Sequence, residues 1–161
     1  MALSSTLLNA QDTIFAGDAS CYFTLDGQRY LFMQAKSIEA TVEKSKKEIP
    51  IMGTPKVGHK SGSLKYKGKA KFYYNTSLFR KYLKKYQDTG TDFYFDMTCI
   101  NNDPNSEAGE QTIVLKDCNF DDLTIFKAEA GGDEAQEEDA SFTFESFEMP
   151  EEFSLLDGMK Q

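Results

Sequence analysis

The sequence has no tryptophan, one histidine (His59), four prolines and three cysteines in 161 residues. Each scarcity removes a class of function. A single imidazole cannot build a zinc site with cysteines as dispersed as Cys21, Cys99 and Cys118, none of which stands in a Cys-x-x-Cys pair. These three read as buried free thiols in a reducing compartment. No apolar run approaches the roughly 20 residues of a membrane-crossing helix. The opening residues 1–8 are too short and too uncharged for a secretory signal. A soluble chain that assembles in a cytoplasm, with no membrane partner, is expected.

What the chain has in quantity is phenylalanine and tyrosine, 13 and 8 respectively. Flat rings suit strands and supply large areas of core. The length fits a single domain, residues 1–161, around one modest core. The net charge of −8 conceals a split. Between Lys36 and Lys85 stand 14 basic residues against Glu39, Glu43 and Glu48. From Asn101 to Gln161 stand 17 acidic residues against Lys116, Lys127 and Lys160. Such a split fits a nucleic-acid surface with an acidic tail, or a subunit whose basic face meets the acidic face of the next copy. Two solvated faces without any partner would give the same counts.

Residues 1–17 read as an arm, small and polar apart from Leu7 and Leu8. Two aromatic-rich runs, residues 20–25 and 29–34, flank Asp26-Gly27 and predict a tight hairpin. Residues 37–44 alternate, with Ile38, Ala40 and Val42 on one face and Glu39, Thr41 and Glu43 on the other, as a half-buried strand does. Residues 45–63 lose that pattern to Lys, Gly, Pro and Ser, and predict a long loop, the kind that is usually functional or disordered. A strand follows in which Tyr66, Ala70 and Phe72 oppose Lys65, Lys67, Lys69 and Lys71. Its lysine face would suit antiparallel pairing with the Glu39/Glu43 face.

One helix is predicted at residues 77–87, with Leu78, Phe79, Tyr82, Leu83 and Tyr86 as its apolar stripe and Gly90 beyond its end. Strands are then expected at 92–100, 111–119, 123–128 and 141–148. The turn between the second and third of these is placed at 119–122, and acidic residues 130–139 read as a loop. Residues 150–161 read as a tail. The fold class is mainly β: an antiparallel sandwich or barrel of seven or eight strands with one flanking α-helix.

No catalytic constellation emerges. His59 sits in the lysine- and glycine-rich segment near Ser61 and Ser63, without a placed acid, so a hydrolase is the weakest reading. Paired carboxylates fall in turns and tails. Residues 133–139 lack the ordered spacing of a calcium loop, and residues 53–62 lack the spacing and following helix of a phosphate loop. No cofactor and no metal are expected. Residues 65–74 interleave lysines with rings, as single-strand nucleic-acid-binding sheets do. Alternation sends most rings to the face opposite the lysines, which favours core over ligand.

The order of features then carries a resemblance. A strand ending Ala40-Thr41-Val42-Glu43-Lys44 leads into a segment holding Met52-Gly53 and Val57-Gly58-His59-Lys60. A Gly/Lys strand with Tyr73-Tyr74, a basic helix and Asp92-Phe93-Tyr94-Phe95 follow. The close is a phenylalanine-rich strand running Phe142-Thr143-Phe144 to Phe147-Glu148-Met149-Pro150-Glu151. Over most of its length the chain resembles the tail-tube proteins of the PBSX prophage type, which also form the inner tubes of R-type bacteriocins such as the diffocins.

That resemblance implies a structural subunit, not an enzyme, that assembles with itself into hexameric rings stacked as a tube inside a contractile sheath. Sheath, baseplate and tape-measure proteins would be its other partners. DNA would be only a passing cargo where the particle is a phage. The location would be a virion or phage-tail-like particle assembled in the bacterial host cytoplasm. Carried onto this chain, the loop that reaches the neighbouring ring would be residues 45–63, with Lys46, Lys47, Ile49, Ile51, Met52, Val57, His59 and Lys60 as contacts. Glu39, Thr41, Glu43, Asp92 and Asp96 lie on polar strand faces and are candidates for an acidic lumen that repels DNA phosphates. The alternative is a monomeric single-stranded nucleic-acid-binding β-module that uses residues 65–74.

Overall fold

The computed structural model describes residues 7–32 and 35–160. The first six residues of the expected arm, Met33 and Gln34 of the expected second strand, and Gln161 lie outside them. The described chain is mainly β, with a short 3-10 turn at Ala10–Asp12, eight strands and one α-helix. The strands are β1 (Ala19–Leu25), β2 (Gln28–Leu31), β3 (Ala35–Pro50), β4 (Val57–Tyr73), β5 (Phe95–Asn102), β6 (Glu110–Asp122), β7 (Glu137–Thr143) and β8 (Ser146–Glu151); the helix α1 is Leu78–Thr89. Every pairing is antiparallel, in the order β2-β1-β5-β6-β7-β4-β3, with β8 added on β6.

The residues gather into two compact units, and β6 contributes to both. Of the described residues, the first holds 7–32, 93–118 and 145–160. Its β1–β2 hairpin turns through Asp26 and Gly27, both at positive φ (51° and 77°), the geometry that the Asp-Gly pair predicts. Phe23, Leu25, Phe32, Phe95, Met97 and Leu115 are buried here. The Phe23 ring stacks on Tyr30 at 5.2 Å and meets Phe32 and Phe95 edge-on at 5.4 and 6.5 Å. Residues 12–15 are tied down: the Phe15 N–H donates to the buried Asp103 carboxylate (3.2 Å), and the Glu107 N–H donates to that of Asp12 (3.1 Å). In the tail, the Ser154 N–H donates to the Ala108 carbonyl (2.7 Å).

The second unit holds described residues 35–92 and 119–144. Here α1 lays Phe79 against Phe72 (6.0 Å) and Phe120 (4.8 Å), and Phe120 in turn meets Phe142. Gly90 closes the helix at φ 75°, its N–H donating to the Tyr86 carbonyl at 2.8 Å. The helix is thus found where its stripe predicts, two residues longer at the far end.

Three strand expectations are corrected. The turn placed at 119–122 is instead the end of β6, pairing Asn119 with Thr143 and Phe120 with Phe142. The residues look like a turn, but pairing with β7 and the contacts of the Phe120 ring with Phe79 and Phe142 hold them in the sheet, and the positive φ (53°) falls just before them, at Asp117. Residues 123–128 form no strand. The expected strand at 141–148 is two strands, β7 and β8, with the chain passing from the second unit to the first between Phe144 and Glu145.

Candidate assembly surfaces

The segment 45–63 is also not an irregular loop. It is the outer half of a β-hairpin in which Lys46 pairs with Ser61, Lys47 with Lys60, Glu48 with His59, Ile49 with Gly58 and Pro50 with Val57. A bulge between the Lys44/Leu64 and Lys46/Ser61 pairs puts an extra residue in β4, beside the contact of Ser45 Oγ with Ser63 Oγ (3.3 Å). The bulge breaks the sequence alternation, which is why the strand signal fades there while the pairing continues. The turn at 51–56 has Gly53 at φ 88°, and the Thr54 hydroxyl accepts from the Lys56 N–H (3.2 Å).

The strands are 16 and 17 residues long, which at about 3.4 Å per residue is roughly 50 Å of ribbon. Only Lys67–Tyr73 of β4 has a third strand beside it, namely β7. From the Val42/Tyr66 pair outward the ribbon is two-stranded, and every residue from Glu39 through Val57 is exposed. Two strands alone are marginal in water. Ile49, Ile51, Val57 and Leu64 are nevertheless 43–50% exposed, and Met52 is completely so. The hairpin therefore brings all eight predicted contact residues onto one element, as a ribbon that buries almost nothing within its own chain.

The candidate lumen residues behave differently. Glu39, Thr41 and Glu43 do share a face of β3, opposite Lys69, Lys67 and Lys65. Lys67 Nζ bonds Glu43 at 3.1 Å and holds that carboxyl below the usual range. The face is therefore mixed in charge and carries more lysine than glutamate. Asp96 lies on β5 in the first unit, where it accepts from the Asp117 N–H (3.1 Å) and faces Lys116 (3.7 Å). Asp92 precedes β5, belongs to the second unit and accepts from the Asn119 amide (3.0 Å).

The aromatic residues of 65–74 do not join their lysines. Phe72 is fully buried, Tyr66 packs on Phe144 at 5.3 Å, and Tyr74 lies under the Arg80 guanidinium (4.4 Å). A base-stacking platform needs its rings and cations on one open face, and only Tyr73 is exposed here. His59 stands exposed on the ribbon opposite Glu48.

Two features were not read as sites from the sequence. The first is a set of neutralised acids: Glu137 is bonded by Lys36, Glu138 by Arg80 (2.8 Å), and Asp139 by Lys71 (3.8 Å). Lys36 lowers the Glu137 carboxyl and is itself raised by it. The second is β8, whose six residues are all exposed, with Phe147 and Met149 among them. A proline at position 150, inside a strand, is the sequence signal of an edge. The cysteines need no site. Cys21 faces Cys99 across β1 and β5 with their sulfurs 3.1 Å apart. That hydrogen bond, with burial, pushes Cys21 up, and burial pushes Cys118 up to about 12.

A family model described as phage tail tube protein matches residues 6–151. The chain belongs to that family. It is 37% identical over 147 residues to the phage-like element PBSX protein XkdM of Bacillus subtilis (strain 168), covering 91% of this chain and 97% of that one. Among solved structures, the tube-terminating cap of the anti-feeding prophage is similar in fold, with a TM-score of 0.67, 12% identity and coverage of 92% and 98% of the two chains. The SPP1 tail tube is similar with a TM-score of 0.61, 12% identity and coverage of 91% and 83%. The resemblance to the PBSX type is thus established on sequence, and the structural likenesses support the tail-tube fold.

Proposed function

We infer that this tail tube protein is a structural subunit of the inner tube of a contractile tail or R-type bacteriocin, without catalytic activity. Hexameric rings of it stack into a conduit inside a sheath, on a baseplate, with a tape-measure protein setting the length. The particle is assembled in the host cytoplasm, and DNA crosses the conduit only where the particle is a phage. The observation that carries this reading is the two-stranded, doubly exposed hairpin of β3 and β4, whose tip spends apolar side chains on no partner in its own chain. Burying those side chains against the next ring offsets the cost of an unsupported ribbon. In the tube the Glu39/Thr41/Glu43 face lines the bore as a mixed-charge strip, its two glutamates standing opposite Lys69 and Lys65.

The test is electron microscopy of the purified full chain beside a variant in which residues 46–61 are replaced by a two-residue Asn-Gly turn. The full chain is expected to form tubes, and the variant to stay monomeric with an unchanged circular dichroism spectrum apart from the lost strand. Tubes from the shortened variant, or none from the full chain, would end this reading.

A further inference from the structure

The hairpin tip is both apolar and basic. Lys47 pairs directly with Lys60, a like-charge pair that is unfavourable unless an anion answers it. Lys46 and Lys56 are exposed close by, and Glu48 is the only acid among residues 44–64. None of these four lysines makes an ion pair among the described residues. Two hairpin tips placed against each other would bring these lysines together, so the contact must be heterologous: the tip meets a different surface of another copy.

Two acidic surfaces of the chain compete for that role. In the acidic segment 129–139 the strand carboxylates of residues 137–139 are already bonded to Lys36, Arg80 and Lys71 of their own chain, and its other acids, Glu129, Asp133 and Glu134, stand outside any strand. Along β8 and its continuation, Glu145, Glu148, Glu151 and Glu152 are exposed and make no ion pair among the described residues. That strand also presents Phe147 and Met149, each about two-fifths exposed (42% and 41%). Among the described residues its strand partner is β6 alone. Its inventory complements the tip: apolar side chains for Ile49, Ile51, Met52 and Val57, and free carboxylates for the unanswered lysines.

We propose that the β3–β4 hairpin tip of one copy docks on strand β8 of a second copy, Lys47 and Lys60 facing Glu148 and Glu151, and Met52 reaching the Phe147/Met149 side chains. This rests on the tail-tube reading above and adds to it the receiving surface. Each subunit then carries one donor hairpin and one acceptor strand, so the contact repeats from copy to copy. The unpaired lysines of the basic middle and the unpaired glutamates of β8 and its continuation are then the two halves of one interface.

Two arms test it. In the first, a photoreactive phenylalanine analogue replaces Met52 in tubes of the full chain, and the cross-linked peptide is identified by mass spectrometry. The expected partner is residues 145–152 of another copy. In the second, K47E/K60E and E148K/E151K are each expected to abolish tubes, and the four changes together to restore them. Cross-linking to residues 129–139, or a fourfold variant that stays monomeric while wild type forms tubes, overturns the docking and leaves the tube reading standing. Tubes from the chain lacking its hairpin overturn both.

Discussion

Gly68 shows how a single side chain, or the lack of one, sets the register of the second unit. It pairs with Phe142 on β7, and a Cβ built on it would stand 2.2 Å from the Phe142 ring. The tip of the ring (Cζ, Cε1 and Cε2) sits against the glycine and covers backbone that a strand glycine otherwise leaves bare. Gly68→Ala is therefore expected to destabilise by about 1–3 kcal/mol, the usual range for overpacking. In a chain of this size that lowers Tm by roughly 3–10 °C. Adding Phe142→Leu should return part of the loss, because the two residues contend for one space. An alanine variant that melts with wild type, by circular dichroism, would show that the ring moves aside freely. The sequence displayed Gly68 only as a break in a lysine run. Its partner lies 74 positions away, so nothing local marks the contact.

At the scale of the element, α1 is held by one ion pair as much as by its phenylalanine. Arg80 donates to Glu138 (2.8 Å), to the Thr124 carbonyl (3.3 Å) and to the Thr76 carbonyl, and it caps the Tyr74 ring. The Glu138 side chain is only 2% exposed. Removing the arginine alone strands a carboxylate in the protein, a loss expected to cost about 3–5 kcal/mol. Arg80→Met should shift the urea midpoint strongly, whereas Arg80→Met with Glu138→Leu should recover most of the stability. Equal losses in the single and double variants would mean that the pair carries no coupling. The helix itself was legible from its stripe and from Gly90. The anchor was not, because residues 130–139 read as a solvated acidic run until the fold set Lys36, Arg80 and Lys71 beside three of its carboxylates.

For the whole molecule, the division of charge becomes an argument about assembly kinetics. Opposed basic and acidic surfaces raise the rate of encounter, and salt screens them. The Debye length falls from about 30 Å at 0.01 M to about 8 Å at 0.15 M ionic strength. Tube growth followed by light scattering should slow over that range, and K47Q/K60Q should flatten the dependence. Growth that accelerates with salt in both proteins would assign the contact to apolar burial alone. The same charge pattern suited a nucleic-acid module when only the sequence was in view. What separates the two is the placement of Phe72, Tyr66 and Tyr74, packed within the chain and away from the lysine ladder.

By itself the sequence determined the β class, the single helix, the Asp-Gly hairpin, the pairing of the glutamate face with the lysine face, and membership of the tail-tube family. These rest on local periodicity, on turn chemistry and on the order of motifs along the chain, all of which precede folding. Only the tertiary structure decided that residues 45–63 are paired ribbon, that β6 runs through Asp122, and that the phenylalanine-rich close divides into β7 and an exposed β8. In each case the deciding force is non-local. Cross-strand hydrogen bonds continue past a bulge that scrambles alternation, the Phe120 ring packed between Phe79 and Phe142 overrides a turn-like sequence, and phenylalanines of one predicted strand end in two different environments. The apolar side chains left exposed beside unpaired charges at the hairpin tip and on β8 are where a second copy is expected.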